Sequence, residues 1–119
     1  MRSLVIKCTA GVEDPERCNQ AFTVAAAAIA AGAAVSLWLT GEATRFGQPG
    51  RAEAFTLELA GSLAESRDLV LEHGVLTVCS QCAARRGLTA ADLLEGVRLA
   101  GSAAFTEEVL ADGVQALVY

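Results

Sequence analysis

An α/β domain built on a parallel sheet is what this sequence predicts, on three observations. Short runs rich in Val, Leu and Ile, namely "SLVIKC", "AVSLWL", "VLTVC", "VRLA" and "VQALV", are separated by segments that carry helix signals. Asp-Pro, Ser-x-x-Glu and Thr-x-x-Asp, all of which favour a helical first turn, stand inside those separating segments. The 119 residues, 53% hydrophobic and 19% charged, suffice for one core and one domain over residues 1–119. Strands alternating with helices pair in parallel through right-handed crossovers, which gives a three-layer α/β/α arrangement of five strands. Frequency among doubly wound sheets favours the order 2-1-3-4-5, with the first and third strands adjacent.

The first strand, residues 3–8, is a β-branched apolar run ended by "TAGVED" and reads as buried on both faces. Asp14 then caps a helix over residues 15–31, with Pro15 in the first position, where its missing N–H costs nothing. Gly32 supplies the left-handed stop, and residues 34–39 form the second strand. Residues 41–53 hold three glycines, a proline and mixed charge, so they read as a long surface loop of the functional or oligomeric kind. In "AFTLEL", residues 54–59, the alternation of Phe55, Leu57 and Leu59 suggests an extended surface segment. Ser62 with Glu65 is a capping box opening a helix to His73, and residues 75–79 are the third strand. Thr89 with Asp92 opens another short helix, residues 97–100 make the fourth strand, "AAFTEEVLADG" is a helix, and residues 114–118 close the sheet.

A net charge of -5 argues against a surface that neutralises many phosphates, so no direct nucleic-acid partner is expected. The most apolar run, "AFTVAAAAIAAGAAVSLWLT", is divided by Gly32 and is mostly alanine, so it reads as a buried helix, a turn and a strand rather than a membrane span. The opening "MRSLVIKC" is too short for a signal-peptide core, and a cytoplasmic location is expected. There is no GxGxxG, GxxxxGK[ST] or GxSxG, so no cofactor is expected. Mean hydropathy of +0.41 favours self-association.

The chemistry is expected at "VCSQCAARRG", residues 78–87. Four cysteines in a reducing compartment are free thiols, metal ligands or catalytic groups rather than a disulfide framework. In the assumed strand order Cys8 and Cys79 end neighbouring strands, Cys82 follows three residues on and Cys18 lies in the next helix, so all four thiols reach one rim. With Ser80 as the cap of the following helix, Cys79 sits at its positive end, and Arg85 and Arg86 share a face with Cys82. Such surroundings favour a thiolate. Taken singly, Cys8 and Cys18 read first as packing residues. Zinc would need two more ligands than the CxxC supplies, and no metal is expected; His73, the only imidazole, reads as a helix-end residue, and Glu65, Glu72, Glu107 and Glu108 as solvated faces.

Three blocks resemble the DsrE/DsrF-like family: "DPERCNQAFTVAAAAIAAG" with the strand after it, "LEHGVLTVCSQCAARRGLTAADL", and "GVRLAGSAAFTEEVLADGVQALVY". The middle block is the specific one. The resemblance implies a three-layer α/β fold, homo-oligomers such as trimers or hexamers, and a persulfide-carrying cysteine eight residues before the glycine of an Arg-Gly pair. Cys79 stands eight before Gly87, so the resemblance places the acceptor on Cys79, with Cys82 as a second thiol that the family pattern lacks. Sulfur-donor and sulfur-acceptor proteins are then the expected partners. Two rival readings stay open: a dithiol redox protein cycling Cys79 and Cys82, and an oligomeric binding or scaffold subunit whose thiols are structural.

Overall fold

The computed structural model describes residues 2–119. Strand β1 (Ser3–Cys8) leads through helix α1 (Pro15–Ala30) to β2 (Ala34–Leu39). A 3-10 segment (Gly41–Gly47), the short helix α2 (Arg51–Ala54) and α3 (Leu63–His73) bring the chain to β3 (Val75–Cys79). The remainder is α4 (Ser80–Arg85), a 3-10 turn (Ala90–Asp92), β4 (Arg98–Ala100), α5 (Ser102–Leu110) and β5 (Val114–Val118).

The local signals act as their chemistry requires. The Asp14 carboxylate accepts the Arg17 N–H at 3.4 Å and Pro15 opens α1, while Gly32, at φ +89°, takes the left-handed turn beyond its end. Ser62 Oγ accepts the Glu65 N–H at 3.1 Å, which is half of a capping box. Thr89 and Asp92 form the complete box, but over a single 3-10 turn rather than a helix. In "AFTLEL" the extended stretch is short: Ala54 ends α2, residues 55–57 belong to neither helix nor strand, and a turn follows at 58–59. Phe55 packs edge-on against Phe46 at 5.7 Å, whereas Leu59 is fully exposed at a positive φ of 63°, so the alternation stops at a turn.

All strand pairings are parallel, in the order β4-β3-β2-β1-β5. This corrects the expected 2-1-3-4-5: β2 lies between β1 and β3, and β5 takes the free edge of β1. The cause lies in the crossovers. The connections through α1, α3 and α4 each step one strand in the same direction, and right-handedness then puts α1 and α3 together on one face. The last connection returns from β4 to the far edge, so α5 falls on the opposite face.

Alternating side chains record both layers. Ile6, Cys8, Leu37, Leu39, Leu76 and Val78 join Phe22, Ala25 and Val70 in the main core. On the other face Trp38 meets Phe105 of α5 edge-on at 5.4 Å, and Lys7 Nζ lies 3.9 Å from the centre of the Phe105 ring. Glu108 Oε1 accepts from Ser36 Oγ at 2.6 Å and from Trp38 Nε1 at 3.2 Å, and its other oxygen pairs with Arg98. Glu108 is thus no solvated carboxylate. Burial pushes its carboxyl up, but Arg98, Ser36 and Trp38 outweigh that and hold it below the usual range.

The long connection after β2 is pinned rather than loose. Arg67 of α3, only 3% exposed, forks onto both Glu53 oxygens at 2.8 and 2.7 Å and onto Asp68 at 2.9 Å. Glu53 is drawn down to about 2 by this pairing. The fork ties α2 to α3 and fixes the exit of the segment that began at Gly41. Among the described residues, no helix is long and apolar enough to cross a membrane.

Candidate functional site

Leu39 stands beside Val78 in the β2–β3 register, so the residues that follow β2 come up against those that follow β3. Gly41 makes the first contact. Its φ is +54°, and a Cβ there would lie 2.6 Å from the Thr9 carbonyl oxygen, so glycine alone fits. The chain thereby presents the Gly41 N–H to Cys82 Sγ at 3.4 Å.

Glu42, the next residue, completes the attachment. Its Oε2 accepts from Arg86 Nε at 2.8 Å and lies 2.7 Å from Arg86 Nη2. Arg86 Nη1 in turn donates to the Cys82 carbonyl at 3.1 Å. One turn of α4 separates Cys82 from Arg86, and Glu42 clamps the guanidinium beside the thiol. Burial pushes the Cys82 thiol up, but the Gly41 N–H, hydrogen bonding with Cys79 and the charges of Arg86 and Arg85 prevail and leave it below its ordinary value. Cys82 is half-buried, as is Cys79.

Cys79 ends β3 and itself occupies the cap position of α4, where Ser80 was expected; Ser80 is the first helical residue. Arg85 is exposed and forms no ion pair among the described residues. The structure therefore gathers Cys79, Cys82, Arg85 and Arg86 at one edge, and adds Gly41 and Glu42, which the sequence reading did not single out. Their signal was available in outline: they open the long 41–53 connection and directly follow a strand.

Cys8 and Cys18 form a separate pair. With β2 between β1 and β3, the end of β1 is not adjacent to Cys79, and Thr40 stands in between, donating its N–H to the Cys8 carbonyl at 2.9 Å. Both thiols have no exposed surface, and Cys8 Sγ donates to the Ala10 carbonyl at 3.3 Å. Hydrogen bonding with Cys8 and burial push the Cys18 thiol up. All four cysteines are free. His73 is exposed beside Glu72, at the opposite end of β3 from Cys79. Among the described residues, no three His, Cys, Asp or Glu side chains gather as a metal-binding group.

The geometry is thus a half-buried thiol pair at the carboxyl edge of a parallel sheet, with a backbone amide and a clamped guanidinium stabilising one sulfur as an anion. Such a group attacks sulfur electrophiles and holds sulfur anions.

Among solved structures, the chain is similar to the ychN protein from E. coli, with a TM-score of 0.82 and 16% identity over 100% of both chains. It is also similar to MTH1491, a protein of unknown function from Methanobacterium thermoautotrophicum, with a TM-score of 0.76 and 11% identity over 100% of both chains. BT1422, a conserved protein of unknown function from Bacteroides thetaiotaomicron, aligns at a TM-score of 0.65 and 16% identity over 98% of this chain and 94% of its own. No curated protein matches the sequence. At these identities the likeness establishes the fold. The family model for the DsrE/DsrF-like family matches residues 2–118, nearly the whole chain, and with the specific "VCSQCAARRG" block at the site just described, this protein belongs to the DsrE/DsrF-like family.

Proposed function

We propose that this protein accepts a sulfane sulfur from a donor protein on Cys79 and passes it to an acceptor, with Cys82 as the second thiol. Family membership supports a sulfur-relay-type role. The observation that carries the reading is the Gly41 N–H on Cys82 Sγ, with Arg86 clamped alongside. These favour the charged form of Cys82, so that in the transfer the negative charge of the pair is placed on the Cys82 sulfur.

With Cys82 in that form, Cys79 is activated on demand. As its sulfur attacks the outer sulfur of a donor persulfide, R–S–SH, its proton passes to the Cys82 thiolate. The S–S bond of the donor breaks, and RS⁻ leaves. Cys82 returns the proton to RS⁻, so the products are Cys79–S–SH, RSH and the original Cys82 thiolate. An acceptor thiolate then takes the terminal sulfur and restores Cys79. No external oxidant or reductant is consumed. Free thiols of this kind suit a reducing, cytoplasmic setting.

Exposed Leu110, Leu117 and Val118 around β5 support a homo-oligomer, such as a trimer or hexamer. Light scattering of the purified protein gives the number directly.

Intact-mass analysis after treatment with a low-molecular-weight persulfide tests the carrier reading. A gain of one sulfur, about 32 Da, that still forms, more slowly, in Cys82→Ser and is lost in Cys79→Ser is the expected result. Loss of two hydrogens without added sulfur would instead identify a dithiol redox couple. No adduct, together with a lower melting temperature for Cys79→Ser, would make the thiols structural.

A further inference from the structure

Next to the thiol edge lies a cavity of about 130 Å³ that the sulfur chemistry does not use. Phe46 and Phe55 line it as a T-shaped pair 5.7 Å apart, and Val12, which is 71% exposed, stands at its rim. Arg45 and Arg51 also line it, and neither forms an ion pair among the described residues. The one carboxylate in the lining, Glu42, is engaged by Arg86. Glu42 thus belongs both to this cavity and to the clamp beside Cys82.

An acidic chain that leaves two cations unneutralised around an apolar cavity offers both charge attraction and a hydrophobic seat. The volume suits one aliphatic side chain, being close to the roughly 150 Å³ known to hold a benzene-sized guest. We infer that this cavity is a docking site for an acidic peptide segment of the sulfur-delivering or sulfur-receiving protein. One aliphatic residue of that segment fills the space over Phe46 and Phe55, and carboxylates on either side of it pair with Arg45 and Arg51. The inference rests on the carrier reading for the identity of the partner, but the binding itself does not depend on sulfur transfer.

The probe is a synthetic peptide, acetyl-Glu-Asp-Leu-Asp-Glu-amide, titrated into the ¹⁵N-labelled 119-residue chain and followed by NMR. Amide shifts centred on Val12, Arg45, Phe46 and Phe55 that weaken in 0.5 M salt are expected. Replacing the peptide's Leu by Ser should weaken binding at least about tenfold, as the loss of one buried aliphatic side chain implies. The double variant Arg45→Ala, Arg51→Ala should weaken it at least about twofold, each exposed ion pair counting for a factor of roughly 1.4 to 5. Val12→Asp, at an exposed position, gives an independent check and should also weaken binding.

Equal binding of a Lys-Lys-Leu-Lys-Lys peptide, shifts centred elsewhere, or the same shifts from acetate at the same concentration would overturn the inference. So would shifts that vary with protein concentration alone, which would mark the cavity as a contact between copies. Persulfide loading of the unsubstituted protein, measured beside its peptide titration, keeps the two readings apart. Normal loading without peptide binding sinks the docking site alone, and peptide binding without any loading sinks the carrier alone.

Discussion

Replacing Gly41 by alanine tests the site at its narrowest point. An alanine at φ +54° carries the left-handed penalty of about 1–2 kcal/mol, and its Cβ would sit 2.6 Å from the Thr9 carbonyl oxygen, a backbone atom that cannot swing aside. A total destabilisation of about 2 kcal/mol or more follows. With an unfolding entropy of roughly 2.1 cal/mol/K per residue, 119 residues give about 0.25 kcal/mol/K, so the melting temperature should fall by about 8 °C. The chain relieves the clash by moving residue 41, which withdraws its N–H from Cys82 Sγ. A donor to the thiolate stabilises the charged form, so its loss raises the pH at which Cys82 becomes reactive. Thermal unfolding gives the first quantity, and the pH profile of iodoacetamide alkylation, read at Cys82 by peptide mass, gives the second. A melting temperature within about 2 °C of the parent, with an unchanged or lower alkylation midpoint, would refute the role given to Gly41.

Arg86→Gln should raise the Cys82 alkylation midpoint, whereas Glu42→Gln, which removes the anion neutralising Arg86, should lower it; the same peptide-mass assay reads both. In the native protein iodoacetamide should modify Cys79 and Cys82 and spare Cys8 and Cys18, which have no exposed surface, until the chain is unfolded. Glu53 is held at about 2 against an ordinary 4.5, so its pairing with Arg67 stabilises the fold in full above about pH 4.5 and is lost as the pH falls towards 2. Acid unfolding of Glu53→Gln should therefore show a flatter dependence over that window than the parent, measured by tryptophan fluorescence. Arg67→Met keeps the buried volume but leaves Glu53 and Asp68 without their cation, so it should lose stability at pH 7 and much less of it near pH 2, whereas Arg67→Ala also leaves a void and should cost about 2 kcal/mol or more in chemical denaturation.

The elements were legible because their signals are local. Asp14-Pro15, Gly32 and the apolar runs at residues 3–8, 34–39 and 75–79 each act within a few residues, and the structure places them as read. Strand order was not legible from frequency, since it depends on where each crossover returns. A hint lay in "AVSLWL": β2 is almost continuously apolar and carries Trp38, which suits the middle of the sheet better than the edge that 2-1-3-4-5 would give it. The pairing of the thiols followed from the order, so the single rim of four became two pairs. Cys79, Cys82 and the two arginines were readable from their spacing along one short helix. Gly41 and Glu42 were not, because their contact with α4 spans 41 and 44 residues of sequence and exists only in three dimensions. Glu108 escaped for the same reason: its partners Ser36 and Trp38 lie on β2, more than half the chain away.

The amide that steadies Cys82 is supplied from the far side of the β2–β3 connection, 41 residues upstream. Before the sheet closes, this sulfur is an ordinary cysteine in an ordinary polypeptide, poorly ionised at neutral pH. The lowering of its pKa is consequently a product of completed assembly, since the amide and the cation that cause it reach the sulfur only when the sheet has brought β2 and β3 together.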